Sequence, residues 1–436
     1  MAELSVAERI VAVLDHLGVD RAHLVAQMPA DIAGLVQQHG QRVGRVGLIG
    51  PPRIDPLAFA GLGQDVLYIA PQEGMLAKTA ANALPQLPGA RTICLEGYSA
   101  ESWSDLAADR PEIATYLSNH LLDAKTVDEP GRDETSGKIA DIRYRVMGHG
   151  PALVLTPMAF APSQWEPILP TLAEQFCVIA LSGPRLGMLA LLEQRAALAG
   201  WQEMCAGLFR ALRLAPGDKV LDVGCGSGAI AKQFVRETSG QNPLTAVDLS
   251  RYFLGEARTS IQEAGLEPSI ELIEGSAEQL PFEANRFDAA YSVTVLEECN
   301  AKAALSELRR AVKPGGRIGV IVRGIDLEQW WNLPVSAGVR SKISVAAPSV
   351  GAGGVASSAL YDLAIEAGLK PLRNYTYHVA SESDRGPVFE FPETYALSVL
   401  TSEEQAEFHA AKAQAIEAGH LFVTRGHHCF VGEVAG

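Results

Sequence analysis

A chain of 436 residues, 47% of them hydrophobic, is too long for one typical core and calls for two or three domains. Its formal net charge of −15 argues against a nucleic-acid partner, because phosphates are bound by clustered Lys and Arg and no basic stripe is visible. The opening MAELSVAERIVAVLDHLGVD is amphipathic and acidic rather than continuously apolar, so neither a signal peptide nor a membrane span is expected, and a soluble, cytoplasmic protein is.

Taken in chain order, the first segment predicts a helix over Val6–Leu17 and a strand at AHLVAQ. A helix through ADIAGLVQQHG, strands at VGRVGLIGPP, DVLYIAP and ARTICLEG, and a helix at RPEIATYLSNHLL follow. Strands alternating with helices predict a parallel sheet. The polar run Val127–Lys138 reads as a flexible joint. After it, Ile142–Gly187 supplies a strand pair, a loop, a helix and another strand.

These two stretches resemble the second and first halves of an α/β-hydrolase, in inverted order and without a cap. The resemblance implies either one permuted domain or fragments exchanged between subunits, and it implies lost hydrolytic chemistry. A nucleophile elbow needs Gly-x-Ser-x-Gly. The matching AQMPA has Met28 at the nucleophile position and Ala26 and Ala30 at the glycines, and methionine is no acyl-transfer nucleophile. Pro71-Gln72-Glu73 stands where the acid would be, Gly97-Tyr98-Ser99 where the histidine would be, and Pro157-Met158 at the oxyanion loop. Such a module is expected to be structural, covering a substrate mouth or mediating a homodimer.

From Leu191 onward the sequence is more informative. Lys219–Gly228, KVLDVGCGSG, joins an apolar strand to a glycine turn, and one helix later LTAVDLS ends a second strand on Asp248. That βαβ pattern suits a nucleotide-like ligand at the carboxyl ends of its strands. A pyrophosphate beside the turn would meet the like charge of Asp222, whereas a ligand with a sulfonium and an ammonium would not. The pattern continues with a strand and loop at Ile270–Phe282, and a strand running into a helix at Arg286–Cys299. A helix, a Pro314-Gly315-Gly316 turn and a fifth strand occupy Leu308–Val322, and an antiparallel pair closes the chain at LKPLRNYTYHVA and HLFVTRGHHCFVGEV.

With these motifs in order, Leu191–Gly436 resembles a class I S-adenosylmethionine-dependent methyltransferase of the small-molecule branch. The resemblance implies a Rossmann-like, doubly wound sheet as a second domain (191–436) behind the hydrolase-like one (1–190). It implies a cofactor site of Asp222, Gly224, Cys225, Gly226, Gly228, Asp248, Leu249, Ser276, Ala277, Ser292 and Val293. Ser276 departs from the aspartate usual in that branch and offers the adenine amino group a weaker hydrogen bond.

The expected activity is methyl transfer to a small apolar or aromatic metabolite. A non-catalytic cofactor-binding scaffold and a bifunctional methyltransferase-hydrolase are the alternatives. Trp201, Trp330 and Trp331 are the candidate substrate contacts, with APSVGAGGVASS as a mobile lid. Glu297, His427 and His428 are candidate bases, each with a bland rival role: Glu297 starting a helix, the histidines as half-buried strand residues. No metal is expected, since the six cysteines lack a C-x-x-C pair.

Overall fold

The computed structural model describes residues 4–101, 104–123, 127–130, 134–348, 350–351, 353–382 and 387–435. The chain divides into two compact units, Met1–Ala190 and Leu191–Gly436.

In the first unit the strands are β1 (Ala22–Ala26), β2 (Val43–Ile49), β3 (Val66–Glu73), β4 (Arg91–Ser99), β5 (Thr135–Ile139), β6 (Ile142–Met147), β7 (Ala152–Leu155) and β8 (Cys177–Ser182). They form one sheet in the order β4-β3-β2-β1-β7-β8-β6-β5. All neighbours are parallel except at β6, which runs against both β5 and β8. Every residue of β1, β2 and β7 is buried, as continuous apolar strands covered on both faces must be. The two stretches separated in sequence join at β1·β7, where His23 pairs with Leu153, so they pair within one chain.

The first helix, Val6–His16, begins with a capping box: Ser5 accepts the Glu8 amide and the Glu8 side chain reaches back to the Ser5 amide. A helix at Met75–Ala83, between β3 and β4, is absent from the sequence reading. It follows Gly74 with no side-chain cap, so no start signal marks it.

The run Val127–Lys138 is no free joint where it is described. Asp128 accepts the Asp20 and Arg21 amides at 2.5 and 3.2 Å, and residues 135–138 belong to β5. Backbone pairing with β6 overrides the polar composition. Residues 131–133 of that run lie outside the described residues.

The second unit has β9 (Val220–Val223), β10 (Leu244–Asp248), β11 (Ile270–Glu274), β12 (Phe287–Val293), β13 (Val312–Arg323), β14 (Trp330–Trp331), β15 (Leu369–Ser381) and β16 (Val423–Val434). Their order is β11-β10-β9-β12-β13-β16-β14, with β15 also on β16. From β11 to β13 all pairs are parallel; β16 returns antiparallel. The order reverses between β9 and β12, which makes their carboxyl ends the switch point where such sheets bind ligands.

Candidate functional site

Strand β9 is wholly buried and delivers Asp222 to the switch point at 2% exposure. The turn after it needs glycine at Gly224, where φ is +81° and an added Cβ would stand 2.2 Å from the Val295 side chain. The Gly224 and Cys225 amides both donate to Val247 O, at 2.7 and 3.0 Å, which locks the turn against β10. Gly226 and Gly228 also have positive φ, and Gly228 precedes the helix Ala229–Glu237. Cys225 is buried and unpaired.

The Asp222 Oδ2 atom is buried without a hydrogen-bond partner. Burial lifts its carboxyl to about 8, opposed by the nearby Tyr291 hydroxyl and reinforced by the Asp248 charge. Asp248 ends β10 with Oδ2 accepting the Gly226 amide at 2.8 Å and Oδ1 accepting the Ser250 amide at 2.9 Å. Burial still holds its carboxyl above the ordinary value, against those two bonds. Each of its oxygens keeps lone-pair capacity for a further donor. Beside it Leu249 is 71% exposed, an apolar side chain presented at a strand end.

Ser276 and Ala277 are half-buried in the loop after β11, and Ser276 Oγ accepts the Glu278 amide at 3.1 Å. Ser292 is buried and donates to Val223 O at 2.9 Å, tying β12 to the glycine turn; Val293 is 7% exposed. Thr294 follows with φ +55°, strained for a β-branched residue, and its amide donates to Ile321 O at 2.8 Å.

Glu297 starts no helix. It lies in the turn after β12, and the helix Ala301–Ala311 begins four residues later under an Asn300 cap. Its side chain is fully buried. Oε1 accepts the Arg323 amide at 2.7 Å and faces Arg323 Nε at 3.6 Å, while Oε2 has no partner. Burial raises this carboxyl to about 7 against the Arg323 charge. The expected lid run packs against that turn. Gly351 and Val355 amides donate to Glu297 O and Leu296 O at 2.7 and 2.8 Å. An added Cβ on Gly354 would be 2.2 Å from Glu297 O, so its glycines serve close backbone approach. Ser349 and Ala352 of the run lie outside the described residues.

The two histidines separate because successive strand residues face opposite ways. His428 is engaged on both ring nitrogens, by the Tyr361 hydroxyl at 3.0 Å and Asp326 Oδ1 at 2.7 Å. His427 packs edge-on against Trp201 at 5.2 Å between ring centroids, and its Nδ1 is buried without a partner. Burial and the Arg425, Arg195 and Arg323 charges pull its imidazole down to about 3, so it is neutral.

Trp201 is 2% exposed. Trp331 packs between Phe389 and Phe408 and donates its indole N–H to Ile343 O at 2.9 Å, whereas Trp330 is 55% exposed against Phe422. Sequence reasoning missed Glu193, which accepts the Ser227 hydroxyl at 2.9 Å, and Arg195, whose guanidinium lies 4.3 Å from the Trp201 ring centroid. Neither sits in a motif.

Against known proteins, the methyltransferase-domain family model matches residues 220–316. These residues are a class I, S-adenosylmethionine-dependent methyltransferase domain. The domain resembles a sterol 24-C-methyltransferase of Gibberella zeae, 36% identical over 106 residues, covering 24% of this chain and 27% of that one. It also resembles a ubiquinone/menaquinone biosynthesis C-methyltransferase of Brucella abortus, 39% identical over 104 residues, covering 23% and 38% respectively. The match thus spans well under half the length of these relatives. Among solved structures, the geranyl diphosphate C-methyltransferase of Streptomyces coelicolor is 17% identical over 53% of this chain and 79% of that one, with a TM-score of 0.34. No helix among the described residues is long and apolar enough to cross a membrane.

Proposed function

We propose that the chain is a methyltransferase acting on a small metabolite, with S-adenosylmethionine at the carboxyl ends of β9 and β10. The observation that carries this is the buried Asp222 carboxyl beside the glycine turn, whose Oδ2 has no hydrogen-bond partner. A buried carboxyl oxygen left without a donor is costly, and a ligand's ammonium group relieves that cost as a phosphate would not. Asp248 is placed to accept ribose hydroxyls with its remaining lone pairs, and exposed Leu249 to cover an apolar base face.

The bound cofactor supplies an electrophilic methyl group. The chain's own part is alignment, which carries much of the rate in an in-line displacement. Glu297, held by the Arg323 amide and with Oε2 free, is the best-placed group to orient the acceptor or take its proton. Neutral His427 is the second candidate; His428 is occupied by Tyr361 and Asp326. Incubation with radiolabelled S-adenosylmethionine and a metabolite extract tests the reading. Tight cofactor binding with no labelled product from any extract would favour the rival, a non-catalytic scaffold.

For the first unit we infer a hydrolase-like scaffold, permuted within one chain and without hydrolytic chemistry. Counted from β5, its sheet runs 1-2-4-3-5-6-7-8, and β1, Met28 and the helix Ala30–Gln38 keep the strand-turn-helix of an elbow. Gln27 Oε1 accepts the Ala159 amide at 2.8 Å, consuming a donor in the loop that matches the oxyanion loop.

A further inference from the structure

A groove of about 730 Å³ opens in the second unit between the helix Ala199–Leu212 and strands β13, β15 and β16. That volume is in the range of small-molecule sites. It begins away from the cofactor end. Through Ala289, Arg317 of the groove stands level with Val220, the first residue of β9, and the carboxyl end of β9 lies about 10 Å further along the strands.

Four guanidiniums line this groove: Arg210 and Arg213 at the end of the helix, Arg317 on β13 and Arg373 on β15. Arg317 is answered by Ala211 O at 3.0 Å, and Glu433 stands opposite it in the β13·β16 ladder. Arg373 lies over the Tyr375 ring at 4.3 Å. Neither its guanidinium nor those of Arg210 and Arg213 meets a hydrogen-bond acceptor or a carboxylate among the described residues. The groove's own carboxylate, Glu203, is at its other end and accepts the Tyr377 hydroxyl at 2.9 Å. With Glu433 counted beside it, four positive charges face two negative ones, a surplus of two.

A helix end favours nearby cations, but it is worth only about half a negative charge. That accounts for one guanidinium at most, and β15 brings Arg373 from a different element. On a chain of net charge −15 the surplus is local, so it attracts a compact anion, while the remaining surface repels a long polyanion. The floor is open for such a ligand at Gly207. A Cβ added there would find nothing nearer than Arg210 Nη2 at 3.9 Å and the Tyr375 hydroxyl at 4.0 Å.

We propose that this groove is a second binding site, separate from the methyl-transfer site, for a phosphoryl dianion carried by a small molecule. Two negative charges match the surplus, and guanidinium forks pair with phosphate oxygens two at a time.

The probes are phenyl phosphate, a dianion at pH 8 because its second ionisation lies near pH 6 (roughly), and the monoanion benzenesulfonate. Both are titrated by calorimetry into the intact protein. Phenyl phosphate should bind about tenfold tighter or more, and saturating S-adenosylhomocysteine should leave its affinity unchanged. Arg373→Gln and Gly207→Glu act from two different elements, and each should cost about tenfold or more. Arg236→Gln, on an exposed position of another helix, should cost nothing. Phosphatidylcholine vesicles with and without phosphatidic acid separate two sources of the same group. Cosedimentation that needs both the phosphatidic acid and Arg373 assigns a lipid headgroup, whereas binding of phenyl phosphate alone assigns a free metabolite.

Equal affinity for the two anions, or no binding in solution or on vesicles, would overturn the proposal. Displacement of phenyl phosphate by S-adenosylhomocysteine would do the same, by placing it in the cofactor site. So would an Arg373→Gln protein with a lowered melting temperature and intact phenyl phosphate affinity, which would leave that arginine a structural role only.

Discussion

If Asp222 meets the ammonium of S-adenosylmethionine, cofactor affinity must depend on pH. In the free protein burial holds the Asp222 carboxyl at about 8, so it is mostly protonated at neutral pH and must ionise to make the pair. Ionising it costs about 1.4 kcal/mol at pH 7 and about 2.7 kcal/mol at pH 6. The dissociation constant should therefore fall about tenfold from pH 6 to pH 7, with close to one proton released per cofactor bound. Above pH 8 the gain stops, because the ligand's own amine titrates in that range.

Calorimetry in two buffers of different ionisation heat measures both quantities. Asp222→Asn should weaken binding about 10- to 100-fold and flatten the profile between pH 6 and pH 7. The stability sign is opposite. A carboxyl whose folded pKa is raised from 3.8 to about 8 destabilises the fold progressively as pH rises between those values. Asp222→Asn should thus raise the melting temperature of the free protein at pH 8 while impairing cofactor binding. A wild-type affinity flat from pH 6 to pH 7, or a slope that survives in Asp222→Asn, would refute the assignment.

Asp248→Ala should weaken S-adenosylmethionine by about 2 to 4 kcal/mol, since two charge-assisted bonds to the ribose are lost; unchanged calorimetric affinity would count against it. Glu297→Gln keeps an acceptor for the Arg323 amide, so the fold and cofactor affinity should survive. Turnover should drop roughly a hundredfold and the pH–rate limb near pH 7 should vanish; normal single-turnover rates would shift the role to His427 or to alignment alone. The first unit should not hydrolyse activated esters, and steady hydrolysis abolished by one substitution within residues 4–190 would contradict its inert elbow.

The cofactor end of the site was legible because its signal is local. An apolar strand, three glycines and a strand ending on Asp248 lie within thirty residues, and backbone geometry alone needs those residue types. Glu193 and Arg195 were not legible, because neither sits in a motif and each reads as an ordinary charge of the helix Gly187–Ala197.

Glu297 shows a cue left unused. Asn300 is a good cap residue, and weighing it would have moved the helix start past Glu297 and exposed the glutamate as a buried turn residue. His427 and His428 look equivalent in one dimension. Strand alternation divides them, one beside Trp201 and the other between Tyr361 and Asp326. The APSVGAGGVASS run misled because glycines that permit motion also permit the close backbone contacts seen at Gly354.

The junction of β1 with β7 sets the order in which the first unit is completed. Residues 22–26 and 152–155 are neighbours in the middle of the sheet, so the nascent chain carries an unpaired central strand until well over a hundred more residues have been made. At about 5–20 residues per second, that exposure lasts on the order of ten seconds. During it β1 to β4 are already a four-stranded parallel sheet in sequence, with an edge at AHLVA that is apolar except for His23. A ribosome stalled or a chain truncated before Ala152 should therefore yield an aggregating fragment, whereas the full unit, closed by β7, hides that edge.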